Sequence, residues 1–369
     1  MGFAPIDPHR FADRVGSWLL ESGPESDTVV SCRVRLARNV EGYPFVVRLE
    51  PDGAQELCTR LRGLLEESDI DGEPVWVGME EASPVLRLLL RERHLVSRDL
   101  APTDPRLSSR PGRAVAFSTT ESVSVMINEE DHLRLQSLSS GLSLRSAWER
   151  LQRVDQAIEE VVPFAHSPEL GYLTGCPTNV GTGLRASVML HLPALGLVRK
   201  ELEKVFTAAQ RTGLAVRGMY GEGSRAAGDF YQISNQVTLG RTESELIGDL
   251  ENLVPSIVTF ERRVRAVLYE EQGSALEDRV NRSFGMLRTA RSLPTEVALM
   301  HLSNVRLGAC LGILSGVRPN DLNQVAVQIQ KAHVHTLAGG EVSEELTEPT
   351  ERDRMRAAFL RRRFAELQG

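Results

Sequence analysis

The chain has only four cysteines in 369 residues, Cys32, Cys58, Cys176 and Cys310, and no two of them form a CxxC pair. That spacing supports neither a zinc site nor a redox dithiol, and no metal ligand set is expected; reduced, mostly buried thiols are. No apolar run reaches the roughly 20 residues that a membrane span requires. The opening residues, Met-Gly-Phe-Ala-Pro-Ile-Asp-Pro, lack a basic stretch followed by an apolar core. A secretory leader is therefore not expected, and the location read from sequence is cytoplasmic. An excess of basic residues is missing too: the net charge is −7, which argues against a domain held on nucleic acid by overall charge. No internal repeat is evident. What remains is ordinary for a globular protein, with 41% hydrophobic and 25% charged residues, and the length predicts two domains.

Helical spacing of Phe11, Val15, Trp18 and Leu19 predicts a helix from Asp7 to Glu21, stopped by Gly23-Pro24. Thr28 to Arg35 reads as a strand, Ala54 to Glu67 as an amphipathic helix and Val75 to Val77 as a short strand. Residues 114–128 predict a hairpin with a polar turn from Thr119 to Ser122. Ser146 to Val162 and Arg185 to Leu192 read as helical, and Leu214 to Tyr220 and Phe230 to Leu239 as strands. This irregular interleaving predicts an α+β fold over a doubly wound parallel sheet. Beyond Gly240 helix dominates. Thr242 is a candidate N-cap, and Leu276, Val280, Phe284 and Leu287 form one stripe. Ser292 to Glu296, with Pro294, reads as another helix start, and a basic helical tail follows from Arg352. A boundary is expected near residue 250, giving an α+β domain over 1–250 and an all-α domain over 251–369.

Four segments carry chemistry. Arg33 and Arg35, at i and i+2 of a strand, point the same way, and two guanidinium forks side by side suit a polyphosphate. Asn128-Glu129-Glu130-Asp131-His132-Leu133-Arg134 places three acids at the end of an apolar strand, costly if buried unpaired. Gly171 to Ser187 contains Cys176, with Gly181, Gly183 and Arg185 ahead of an apolar segment read as a helix, a candidate phosphate cradle. Arginines near Cys176 would favour its thiolate. Finally, Arg217 to Ser224 ends a strand in glycines and presents Arg217 beside Glu222. Each segment alone is equally an ordinary strand edge, turn or loop.

Together these segments resemble the phosphagen (guanidino) kinase superfamily, and within it the McsB-type protein-arginine kinases. The matching stretches run in order from Glu25 to about Gly240, with Gly171 to Pro193 and Arg217 to Gly240 the most specific. Leu276-Glu-Asp-Arg-Val, Val305-Arg-Leu-Gly and the tail Arg352-Asp353-Arg354-Met355-Arg356-Ala357 resemble the McsB type and not the small-molecule kinases. The resemblance implies a phosphagen-kinase-like catalytic domain, an antiparallel sheet flanked by helices, followed by a helical domain for dimerisation and phosphoarginine binding. It implies ATP with Mg²⁺ as phosphate donor and arginine side chains of proteins as acceptors. It places Ser31, Cys32, Arg33, Val34, Arg35, His94 and Arg134 in the ATP site. Arg185, Ala186, Ser187, Val188 and Met189 follow, then Arg217, Gly218, Met219, Tyr220, Gly221 and Glu222. Glu130, Glu222 and Cys176 are implied as catalytic, and Arg352, Asp353, Arg354, Met355, Arg356 and Ala357 as a phosphoarginine site, with Arg352 and Arg356 on one helix face. It also implies a homodimer, a McsA-type activator and delivery of marked proteins to a Clp protease.

Two departures from the small-molecule kinases stand out. The Arg33 motif lies close to residue 1, leaving no room for their helical substrate-covering domain, so a more open site is expected. Tyr220 stands where arginine kinases usually carry another arginine. A kinase for free arginine and an inactive phosphoarginine-binding adaptor remain as alternatives.

Overall fold

The structure is a computed structural model that describes residues 3–102, 110–218, 227–340 and 346–366. Its centre is the alternating segment after Thr28, which forms strand β1 (Val29–Arg38). The later strands are β2 (Pro74–Gly78), β3 (Ala114–Ser118), β4 (Val123–Ile127) and β5 (Leu133–Ser140). A two-residue pair, β6 (His166–Ser167) and β7 (Gly171–Tyr172), stands apart. β8 (Leu184–His191), β9 (Leu214–Gly218) and β10 (Phe230–Asn235) complete the set. Eight of these strands make one sheet in the order β2-β3-β4-β5-β1-β8-β10-β9, and every neighbouring pair is antiparallel.

Because side chains alternate across a strand, the sheet has two chemically distinct faces. Cys32, Val34 and Leu36 of β1 and Ala186, Val188 and Leu190 of β8 enter the main core. Helices α3 (Pro51–Glu67), α5 (Leu144–Glu159), the short α6 (Pro193–Leu197) and α7 (Arg199–Arg211) cover that face with Leu57, Leu61, Leu151, Val154, Leu195 and Leu202. The opposite face carries Arg33 and Arg35 and is met by Trp18, Leu19, Glu92, Leu299 and Val327 from the helices described below.

Three sequence expectations are corrected. The segment Asp7 to Glu21 is not one helix but α1 (Pro8–Asp13) and α2 (Ser17–Leu20). The chain bends between them so that the carbonyls of Phe11 and Arg14 accept hydrogen bonds from the buried Arg93. Arg93 lies just past α4 (Pro84–Glu92). A Cβ on Gly16 would lie 2.8 Å from Glu121 Cβ, so the break is also a close approach. Arg185 to Leu192 is not a helix either; residues 184–191 are β8, paired on both edges. Leu184, Ala186, Val188 and Leu190 alternate with Arg185, Ser187 and Met189, a period of two that a short apolar run obscures. The phosphate cradle is thus built on a strand and not on a helix N-terminus.

Residue 250, finally, lies inside a single long helix, α8 (Glu243–Thr289). Thr242 and Glu245 form a capping box at its start. Its residues Leu246 to Val258 belong to the main core, the backbone departs from helical geometry at Gln272, and Leu287 joins a second core. That second core gathers α9 (Thr295–Cys310), α10 (Pro319–Gln328) and α12 (Pro349–Glu366) around Leu299, Leu302, Val325, Leu360 and Phe364. A short helix, α11 (Lys331–Leu337), lies between α10 and α12 and packs on α4 and α1. Among the described residues no helix is long and apolar enough to cross a membrane.

Candidate active site

The polar face of the sheet is the floor of a cavity of about 790 Å³. Its register sets the chemistry row by row. Arg35 lies between Gln136 of β5 and Arg185 of β8, Arg33 between Leu138 and Ser187, and Ser31 between Ser140 and Met189. Gln232 of β10 lies opposite Met189, and Arg217 of β9 opposite Gln232. Neighbouring strands are about 4.8 Å apart, so the guanidinium groups crowd one surface. Burial, with Arg134 and Arg185 nearby, pushes Arg33 down to about 10. Burial and the neighbouring Arg33, Arg134 and Arg185 push Arg35 well below its ordinary value. Arg35 Nε is buried and, among the described residues, meets no hydrogen-bond partner. A cluster of like charges held this way demands an anion.

Arg134 is the exception within the cluster. Burial weakens both charges, yet Glu129 and Arg134 hold each other ionised through bonds of 2.6 and 2.8 Å, the carboxyl below and the guanidinium above its ordinary range. His94 lines the same cavity just beyond α4, with a left-handed φ of 61° and Trp18 edge-on at 6.0 Å. Burial, with Arg33 and Arg93 beside it, pushes its imidazole down to about 4, so it is neutral near pH 7.

A smaller cavity of about 110 Å³ adjoins the arginines. Arg35, Arg134 and Arg185 line it together with Glu130 and Cys176. Glu130 occupies the tight turn between β4 and β5, where Asn128 takes a φ of 53°. The next residue, Asp131, is buried and accepts from Gly175 N at 2.5 Å and Asn39 Nδ2 at 2.6 Å. This ties the Cys176 loop to the Glu130 turn. A Cβ on Gly175 would come within 2.9 Å of the Glu130 carbonyl, so the approach needs glycine. Cys176 Sγ lies 3.0 Å from Thr178 Oγ1. The loop is anchored at its far end by buried Arg38, which binds Asp155 in a fork of 3.1 and 2.9 Å, donates to Thr182 O and lies 3.6 Å from the centre of the Tyr172 ring. Burial, then the charges of Asp131 and Glu129, raise the Glu130 carboxyl above its ordinary range.

Of the residues singled out from sequence, Ser31, Arg33, Arg35, His94, Arg134, Arg185, Ser187, Met189 and Arg217 line the larger cavity. Cys32, Val34, Ala186 and Val188 do not: their side chains lie in the core on the other face of the sheet. Gly218 ends β9 next to Arg217. Met219, Tyr220, Gly221 and Glu222 lie outside the described residues. The tail expectation is corrected in one respect. Arg352 and Arg356 do not form an open two-arginine face, because Arg356 is buried and bonds inward to the carbonyls of Ile329 and Leu293, each at 2.8 Å. Ala357 is buried as well, Asp353 pairs with Arg356, Arg352 donates to Thr347 O, Arg354 pairs with Glu351, and Met355 Sδ accepts from Thr347 Oγ1. Sequence reading also missed cavity residues. Gln136 and Leu138 follow Arg134 at strand spacing and were legible in principle. Val327, Gln330 and Lys331 carried no sequence signal, yet they line the cavity from the C-terminal helices. These residues wall the larger cavity on that side.

Comparison with known proteins fits this geometry. Residues 57–264 match the family "ATP:guanido phosphotransferase, C-terminal catalytic domain", and residues 273–369 match "Protein-arginine kinase McsB C-terminal domain". The chain is 42% identical over 353 residues to a protein-arginine kinase of Pelotomaculum thermopropionicum, spanning 95% of this chain and 96% of that one. It is 42% identical over 358 residues to a protein-arginine kinase of Bacillus subtilis, spanning 96% and 95%. Among solved structures, lombricine kinase superposes with a TM-score of 0.57 at 26% identity, over 72% of this chain and 73% of that one. The duplicated taurocyamine kinase of Schistosoma mansoni gives 0.58 at 28% identity, over 68% of this chain and 36% of that longer one. With both halves matched and the likeness running almost end to end, the chain belongs to the McsB-type protein-arginine kinases of the ATP:guanido phosphotransferase family.

Proposed function

We propose that this chain transfers the γ-phosphate of ATP to arginine side chains of proteins, with MgATP in the larger cavity and the arginine in the smaller. One observation carries the reading: Arg35, Arg134 and Arg185 are shared by both cavities, so a phosphoryl group held by them faces Glu130 and Cys176. Phosphoryl transfer needs positioning and charge neutralisation more than covalent help, and Arg33, Arg35, Arg134, Arg185 and Arg217 supply both. The acceptor is a poor nucleophile, because its lone pair is delocalised in a cation with a pKa above about 12. Glu130, paired with Glu222, clamps the guanidinium, aims one nitrogen at the γ-phosphorus and takes its proton as the N–P bond forms and the bond to ADP breaks. Cys176 adds a polarisable, partly exposed sulfur beside the same group. By family, the enzyme works in the cytoplasm as a homodimer, with a McsA-type activator, and hands marked proteins to a Clp protease.

The test is incubation with MgATP and a disordered protein, followed by mass spectrometry without acid, with free arginine as a parallel acceptor. Phosphate on protein arginine is expected. Label on free arginine alone rejects the protein-kinase reading, and absence of transfer rejects the kinase.

A further inference from the structure

The nucleotide reading accounts for the floor of the larger cavity but not for its far wall. That wall belongs to the C-terminal helices: Leu299 on α9, Asn323, Ala326 and Val327 on α10, Gln330 in the link, and Lys331 opening α11. Two contacts seat it. Val327 is packed in a buried cluster with Trp18, Leu19 and Leu138, and Leu138 is the strand neighbour of Arg33 on the floor. Glu92, itself on the cavity rim, accepts from the backbone of Ala332 at 3.0 Å and of His333 at 3.2 Å, and lies 2.8 Å from His333 Nδ1.

The cavity changes chemistry along its length. The end shared with Glu130 and Cys176 is cationic. Elsewhere Val30, Leu138 and Met189 from the sheet side share the cavity with Leu299, Ala326 and Val327 from the wall; the carboxamides of Asn323, which accepts from Arg306 Nε, and of Gln330, which donates to Ala326 O, line it too. A nucleoside matches this second region: its base has apolar faces and a polar edge that carboxamides can read. With the triphosphate on the arginines, base and ribose extend toward it.

We propose that the C-terminal helices build the base-and-ribose wall of the nucleotide site, with Gln330 and Lys331 contacting the nucleotide and Arg356 as the positioning residue that sets the wall. Arg356 Nε donates to the carbonyl of Ile329, one residue before Gln330, and its NH1 donates to the carbonyl of Leu293, two residues before α9 begins. Leu293 N in turn donates to Asp353 O at 3.0 Å, and Asp353 pairs with Arg356. One buried guanidinium thus pins both chain segments that lead into the wall. A lysine cannot reproduce that fork.

This inference rests on the ATP reading, and the test separates the two. ATP binding is titrated on the full chain and on Gln330→Ala, Lys331→Ala and Arg356→Lys. Each variant is expected to raise the Kd for ATP by about 3- to 10-fold, the worth of one hydrogen bond, with the loss falling on KM for ATP more than on kcat. If Arg356→Lys fails to fold, hydrogen exchange of α10 and α11 in the unaltered chain decides its part: ATP is expected to slow it, and unchanged exchange overturns the wall. If the unaltered chain does not bind ATP, the kinase reading falls. If it binds and both Gln330→Ala and Lys331→Ala bind equally well, the wall alone is overturned.

Discussion

Arg35 and Arg185 are register partners across β1 and β8, two guanidinium groups side by side on one buried surface. Like charges directly opposite on a sheet destabilise it, and burial adds to the cost. Such a pair, with Arg35 Nε lacking a hydrogen-bond partner among the described residues, is an argument for a ligand. Arg35→Ala should therefore slow phosphoryl transfer by about 10- to 150-fold, the worth of a charge-assisted hydrogen bond, without lowering the thermal midpoint of the nucleotide-free chain. Rates at saturating MgATP and a thermal melt without nucleotide check both halves. A marked fall in the melt would make Arg35 a structural support instead.

The raised carboxyl of Glu130 has a direct kinetic consequence. A group whose pKa is raised keeps its proton to higher pH, and a proton acceptor must first lose it. The acid limb of the rate profile should accordingly lie above the ordinary carboxylate value of about 4.3. Asp131→Asn removes one of the charges that raises Glu130 while leaving an oxygen for Gly175 N, so the limb should move to lower pH. Glu130→Gln should cost about 10²- to 10⁴-fold. A limb that stays in place in Asp131→Asn would take Glu130 out of the assigned role.

The cysteines should separate by reactivity. Burial pushes Cys32 up to about 12 and Cys58 up to about 11, so both are thiols near neutral pH and shielded as well. Cys176 and Cys310 are only partly buried. Alkylation followed by peptide mapping should label Cys176 and Cys310 first, and MgATP should slow the labelling of Cys176 only. Rapid labelling of Cys32 would contradict the face assigned to it.

The anchor of the Cys176 loop should appear in stability. Asp155→Ala strands the buried Arg38 without its counter-ion, which costs about 3–5 kcal/mol in denaturant unfolding. Burial pushes the Asp155 carboxyl up against the pull of Arg38, so desolvation of the carboxylate outweighs its attraction to the guanidinium. Replacing both residues with apolar ones of similar volume should therefore cost less than Asp155→Ala alone.

Much of the site was legible because its signals are local. Arg33 and Arg35 stand two apart on a strand, and Glu130 follows the end of an apolar one; both facts follow from spacing. The same alternation places Cys32 and Val34 on the core face, a consequence that motif matching passed over. The segment 184–191 was misread because a short apolar run fits strand and helix alike, and only pairing with β1 and β10 selects the strand. The break between α1 and α2 was invisible because its cause, Arg93, lies some eighty residues away.

The family resemblance implied the residues for phosphoryl transfer to a guanidinium; the sequence by itself determined strands β1 to β4, β9 and β10 and the helical stripes after Gly240. Those are properties of neighbours along the chain, fixed by backbone periodicity. The tertiary structure alone decided that Arg356 turns inward, that Asp131 holds the Cys176 loop, and that α10 and α11 wall the nucleotide cavity. Each of these depends on which distant surface a side chain meets when the core closes, and burial of apolar area is indifferent to distance along the chain.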